Sequence, residues 1–166
     1  MPNADGRDHP VDRRYVSLQR IAGWLAAAVL GSVLFLGLAI AVGATRPAVP
    51  LILAALVGWV LVVALLAGFG HFWPSLEYRH LAYRVSSQEI RIRRGVIWRE
   101  VIDVPRNRIQ HIDVSQGPLE RQFGLATLLV HTAGTDFARI SLPGLAHERA
   151  LEIRDRLLGM EEDDAL

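Results

Sequence analysis

From Ile21 to Leu76 the chain runs 56 residues with a single charge, Arg46. A run of that length and purity is more apolar surface than a small water-soluble core absorbs, and it divides at Thr45-Arg46-Pro47. Ile21 to Thr45 is 25 residues, which as a helix covers roughly 37 Å at 1.5 Å per residue, against a hydrocarbon core of about 30 Å. Ala48 to Gly70 is 23 residues and reaches about 34 Å, enough to cross with some tilt. The break between them is too short for anything but a tight turn. The expectation is a two-helix transmembrane hairpin over residues 21–73, with spans of about 21–45 and 48–70.

The rest of the chain is different in kind. Of 18 basic and 17 acidic residues, 13 and 14 lie from Glu77 onward. There is no cysteine, so disulfide scaffolds, cysteine metal sites and palmitoylation are excluded. Met1-Pro2 also gives no myristoylation signal, so attachment is expected through the spans alone. Ala39 and Ala41 form an A-x-A, but the apolar stretch before them is longer than a cleavable signal needs. Arg7, Arg13, Arg14 and Arg20 flank the first span and Arg79, Arg84 and Arg91 follow the second, against Arg46 alone in the turn. By the arginine bias of cytoplasmic loops, both ends are expected in the cytoplasm, with residues 1–20 as the N-terminal flank. Phe69, Phe72, Trp73 and Tyr78 are expected as interfacial anchors where the second helix leaves the bilayer. Ala27/Gly31, Ala54/Gly58 and Ala64/Gly68 offer small residues four apart for close helix approach. Neither span carries an ionisable group, and the polar residues Ser32 and Thr45 make no pore lining, so the hairpin reads as an anchor rather than a transporter or channel.

After Tyr78 the period falls to two. Ala82–Val85 and Glu89–Arg94 alternate across Ser86-Ser87-Gln88, with Ile90 and Ile92 facing one way and Arg91 and Arg93 the other. Val96–Val104, Arg108–Ser115, Leu125–Thr132 and Phe137–Leu142 read as further strands, the last two joined across Ala133 to Asp136. The alternation in Arg108–Ser115 is imperfect. Leu119–Phe123 reads as a turn or short helix stopped by Gly124, Pro143-Gly144 as the end of the sheet, and Ala146–Leu158 as an amphipathic helix stopped by Gly159. The expected β domain spans 77–158, with an acidic tail over 159–166.

The run RIQHIDVSQGPLERQFGLATLLVHTAG, with YRVSSQEIRIRRGVIWRE before it and ISLPGL after it, resembles the bacterial pleckstrin-homology-like (PH-like) domain of the membrane-flanked, YdbS-like type. The two preceding spans match that layout, and the most specific piece is Gly117, Pro118, Leu119, Glu120, Arg121, Phe123 and Gly124. The resemblance implies a seven-stranded, strongly bent antiparallel sheet or partly open barrel, capped by a C-terminal helix at the cytoplasmic membrane face. It implies no catalytic residues.

Eight arginines lie between Arg79 and Arg108. Arg91, Arg93, Arg94 and Arg99 are candidates to meet lipid phosphates or an acidic partner; the alternative is a solvated sheet face. Ser86-Ser87-Gln88 is too short and uncharged for a specific inositol-phosphate grip. His111 and Asp113 share one strand face and His131 lies on another strand, which makes a two-histidine, one-carboxylate site conceivable. No HExxH, P-loop, GxGxxG after a strand or nucleophile elbow accompanies them, so they are read as strand histidines, with no cofactor or metal and no small-molecule substrate expected. The soluble part is net negative and carries no RNA-binding aromatic motif, which argues against nucleic acid. The first reading is a non-enzymatic adaptor for a membrane-protein partner or for further copies of itself. The second is an anionic-lipid sensor, and the third a metal-dependent enzyme. The expected location is a bacterial cytoplasmic membrane.

Overall fold

The computed structural model describes residues 8–86, 88–133 and 139–159. They fall into two compact units, one of Gln19–Ser75 and one formed by the chain up to Leu18 and from Leu76 onward. Residues 160–166 of the acidic tail, and residues 134–138, which hold most of the expected loop and the first two residues of the expected Phe137–Leu142 strand, lie outside the described residues.

The nearly charge-free run and its flanks fold as two helices, α1 (Arg14–Thr45) and α2 (Val49–His80), each 32 residues long and apolar enough to cross a membrane. They meet at a turn in which Arg46 takes φ 44. Pro50 falls in the first turn of α2, where a missing N–H costs nothing. Each helix outruns its expected span at the end away from the turn, because helical spacing continues into polar sequence. Pro74 sits inside α2 and cannot donate to the Gly70 carbonyl. Near this break Arg20 Nε donates to the His71 carbonyl at 3.1 Å, and its second guanidinium nitrogen donates to Ser75 Oγ at 2.8 Å. Within this unit the helices cross at Gly23 and Gly70, and a Cβ on Gly23 would stand 2.9 Å from the Gly70 Cα. One step up, Ala27 is buried, and at the next Gly31 faces Val63 and accepts a 2.9 Å hydrogen bond from Trp59 Nε1 at its carbonyl. The contact stripe is thus Gly23, Ala27 and Gly31 on α1, with Trp59, Val63 and Gly70 on α2. Gly58 and Gly68 fall off that stripe and face open space. Ser32 and Thr45 both donate back to their own helix, to the carbonyls of Ala28 and Ala41.

Among the described residues, the other unit holds seven short strands, two helices and a 3-10 turn at Arg106–Arg108. β1 (His9–Pro10), β2 (Ala82–Val85), β3 (Glu89–Arg94) and β4 (Glu100–Pro105) make one antiparallel sheet in that order. β5 (Ile109–Ser115), β6 (Leu125–Thr132) and β7 (Arg139–Ala146) make a second. Among the described residues no strand pairing joins the two sheets, so the expected bent sheet is split in two and unclosed. Between β5 and β6 lies α3 (Pro118–Phe123), and α4 (His147–Gly159) packs on β5, β6 and β7.

One core serves both sheets. Ile90, Ile92, Ile102 and Val104 come from the first, and Leu128, Val130, Ile140 and Leu142 from the second. Ala150, Ile153 and Leu157 of α4 close it, at the three- and four-residue spacing that puts them on one face. Val11, Tyr15 and Leu18 complete it, so the described part of the N-terminal flank belongs to this domain. Three strands differ from expectation. β4 starts at Glu100 instead of Val96, because Gly95 takes φ 101 and the chain bends through Val96 to Trp98 before pairing resumes. β7 runs through Pro143 and Gly144 to Ala146 instead of stopping there. A bulge opposite Ala126 to Leu128 absorbs the two breakers, with Gly144 at φ 77. The imperfect alternation of β5 is a second bulge, between Ile109 and His111, which lets Ile109 and Ile112 both pack toward the core.

Candidate functional site

The outer face of β2 and β3 concentrates like charges. Arg84 and Arg91 are direct cross-strand partners, an arrangement that repels unless it is neutralised. Three carboxylates do so. Asp8 binds Arg84 at 3.0 Å and Arg93 at 2.8 Å, and Asp103 takes Arg91 through both of its oxygens, with Glu89 at 3.4 Å. The hydrogen bond from Arg93, reinforced by Arg84, holds the Asp8 carboxyl below its ordinary value. Asp103 in turn raises the Arg91 guanidinium further above its ordinary range.

Toward the end of β3 the balance tips to positive. Arg79 and His80, the last residues of α2, join Arg93, Arg94 and Arg99 around an open cavity of about 330 Å³, with Glu100 as its acid. Glu100 is already engaged by Arg94 at 2.7 Å. Arg91 does not line this cavity; Asp103 holds it further along β3, while Arg93 and Arg94 reach the lining with their ion pairs to Asp8 and Glu100 intact. The structure therefore brings Arg93, Arg94 and Arg99 together and leaves Arg91 in the ion-pair ladder beside them.

Next to the cavity, the turn joining β3 to β4 carries two large apolar side chains into water. Trp98 is 88% exposed and Ile97 74%, with Val101 also exposed at the start of β4. Sequence reading placed Ile97 and Trp98 inside a strand and gave them no role; the signal available was Gly95, whose positive φ lets the chain leave the ladder.

The family-specific segment is a corner. Gly117 precedes α3, whose Glu120 accepts from the Gly117 N–H at 2.7 Å and, through its other oxygen, from Thr127 Oγ1 at 2.7 Å. Gly124 ends the helix in the left-handed conformation at φ 64. Leu119 and Phe123 pack against the core and Arg121 lies in the last turn of α3. This motif fixes the step from β5 to β6.

Among the proposed anchors, Phe69 stacks on Trp73 with centroids 5.1 Å apart, and Phe69 and Phe72 are largely exposed. Tyr78 packs instead against the β-domain core. Trp24, which sequence reading passed over, is exposed on α1 and stacks on His71 at 5.8 Å. His111, Asp113 and His131 come together on the second sheet.

Against known proteins, the chain is 37% identical over 94 residues to the UPF0699 transmembrane protein YdbS of Bacillus subtilis (strain 168). That match covers 55% of this chain and 57% of the relative's length. No solved structure matches. The family model described as the bacterial PH domain matches residues 20–161, most of both helices and all of the strands from β2 to β7, and on that ground this membrane-associated chain belongs to the bacterial PH domain family.

Proposed function

We propose that the chain is a multi-pass, non-enzymatic membrane module whose β domain docks on anionic lipid headgroups in the cytoplasmic leaflet of a bacterial membrane. The observation that carries this reading is the pairing of an exposed apolar tip, Ile97-Trp98, with the arginine-lined cavity of Arg79, Arg93, Arg94 and Arg99. A tryptophan ring settles at the boundary between headgroups and acyl chains, while arginines bind phosphate oxygens bidentately. Each cation near an anionic surface adds about 1 kcal/mol, falling off within a Debye length. Phe69, Phe72, Trp73 and Trp24 are the anchors of the hairpin in this reading. The orientation is supported by the arginine bias and by β1 pairing with β2, which holds the residues before α1 and those after α2 in one fold.

A second reading has its own observation. β4 is an outer strand of its sheet, bordered by exposed Val101, and offers an edge to which a partner membrane protein or a second copy could add a strand.

Since the chain lacks cysteine, Trp98→Cys gives a unique position for an environment-sensitive fluorophore. The full-length labelled protein, reconstituted into phosphatidylcholine vesicles with or without 30% phosphatidylglycerol as the probe composition, should show a blue shift only with the anionic lipid. High salt and the double change Arg94→Gln/Arg99→Gln should reverse it. A fluorophore that stays water-exposed in both vesicles overturns the lipid reading; one buried equally in both, without salt dependence, assigns the surface to protein contact.

A further inference from the structure

The second sheet carries a separate arrangement that the lipid reading does not use. On the face of β5 and β6 turned away from the core, His111 and His131 are direct cross-strand partners. Their imidazole rings lie nearly parallel, with centroids 4.1 Å apart and planes 12° from one another. Asp113, two residues along β5 and so on the same face, brings Oδ2 to 3.6 Å from His111 Nε2 and 3.3 Å from His131 Nε2. One ligand atom from each of the three lies within 4.8 Å of the other two.

We propose that His111, Asp113 and His131 form a binding site for a first-row divalent transition-metal ion of the zinc type. Three features of the arrangement support it. Imidazole and carboxylate bind such an ion at about 2.0–2.2 Å, and tetrahedral angles then put donor atoms roughly 3.3–3.5 Å apart. The two carboxylate–imidazole separations already stand close to that spacing. The donors also ride on a paired β ladder rather than on loops, and the bulge between Ile109 and His111 sets the aim of His111, as bulges beside functional sites do. Finally, two imidazoles and one carboxylate select zinc, nickel or cobalt over magnesium, which prefers an all-oxygen shell.

Among the described residues, the charge nearest the site on its sheet face is Arg139. Arg139 of β7 is the cross-strand partner of His131 on its other side and is exposed, so its guanidinium can swing into water when a cation arrives. His111 and Asp113 are more than half exposed and His131 about one quarter exposed, so ion entry needs no rearrangement of the core. Three protein donors leave at least one coordination position toward solvent, open to water or to a donor from another molecule.

The test uses the full-length protein without a polyhistidine tag, purified in detergent, stripped with chelator and desalted. Titration with Zn²⁺ should show one equivalent bound per chain by calorimetry and by elemental analysis, and Mg²⁺ should show none. His111→Gln and His131→Gln should each weaken Zn²⁺ binding by tenfold or more, and His9→Gln, which changes a histidine outside both this cluster and the arginine-lined cavity, should leave it unchanged. Unfolding scans without metal check that the variants keep the wild-type fold, and Asp113→Asn, at an exposed position, supplies a third reading of the same site. Zn²⁺ retention no greater than in a detergent blank overturns the proposal, as does one equivalent that survives both histidine changes.

Discussion

A methyl group on Gly23 would stand 2.9 Å from the Cα of Gly70, closer than side-chain carbons approach a backbone. The helix crossing therefore depends on two residues that have no side chain, and each helix supplies one. Gly23→Ile should force the helices apart and disturb the Trp59 hydrogen bond to Gly31 further along the same interface. The expected cost is about 1–3 kcal/mol. Disulfide crosslinking of a Gly31→Cys/Val63→Cys pair in native membranes reads it directly, and should fall sharply with Gly23→Ile. Gly37→Ile, at a position with open space around it, should leave crosslinking unchanged.

Gly144 presents the same dependence inside the β domain. It takes φ 77 at the bulge of β7, and a Cβ there would lie 2.8 Å from the buried ring of Tyr15. Its carbonyl also accepts from the Asp12 N–H at 2.8 Å, tying the N-terminal segment to the sheet. Gly144→Ala should destabilise the domain by about 1–3 kcal/mol through backbone strain and displacement of Tyr15. A lowered unfolding midpoint in detergent, with helicity retained, is the expected result.

Glu120 is the polar hinge of the family motif, accepting from the Gly117 N–H and from Thr127 Oγ1. Glu120→Ala leaves both donors without this partner and should cost about 1–2 kcal/mol, the range of a lost helix cap. Glu120→Gln keeps one acceptor oxygen and should lose less. If Glu120→Ala leaves stability untouched, the corner is held by Leu119 and Phe123 instead.

The Asp8 clamp gives a pH dependence of definite sign. Its carboxyl is depressed in the folded protein, so it binds fewer protons folded than unfolded. Its contribution is complete above the ordinary value of 3.8 and is lost as pH falls through the lower folded value. Asp8→Asn should accordingly lower the unfolding midpoint at pH 7 in low salt, and the gap from wild type should close as pH drops below about 4. Because the pairs are partly exposed, 0.5 M salt should also narrow the gap.

Legibility in the sequence followed the strength of the local pattern. The two long helices were readable because charge all but vanishes over their length, the boundaries of β2 and β3 because alternation there ends at turn residues, and those of β6 because an apolar run lies between Gly124 and Ala133-Gly134. β1 was invisible: two residues, His9 and Pro10, make no period, and their partner Tyr83 lies far along the chain. Pro143 and Gly144 were misleading because breaker residues also occupy bulges. The arginines could be seen, but not which of them carboxylates already hold, since Asp8 reaches Arg93 only through the fold. Trp98 was hidden in an apolar run that turns out to be a bend. His111 and Asp113 share a face by spacing alone, whereas the approach of His131 is a matter of strand register.

The pairing of His9 with Tyr83 also fixes an order of events during synthesis. The first strand leaves the ribosome early, yet its neighbour is made only after both apolar helices, so β1 gains its strand partner only once both helices have been synthesised. When β2 emerges, Val11, Tyr15 and Leu18 can enter the core and complete the β domain. In genetic terms the helices are an insertion within the domain. A fragment begun at Leu76 to obtain a soluble version would lack one edge strand and three core side chains.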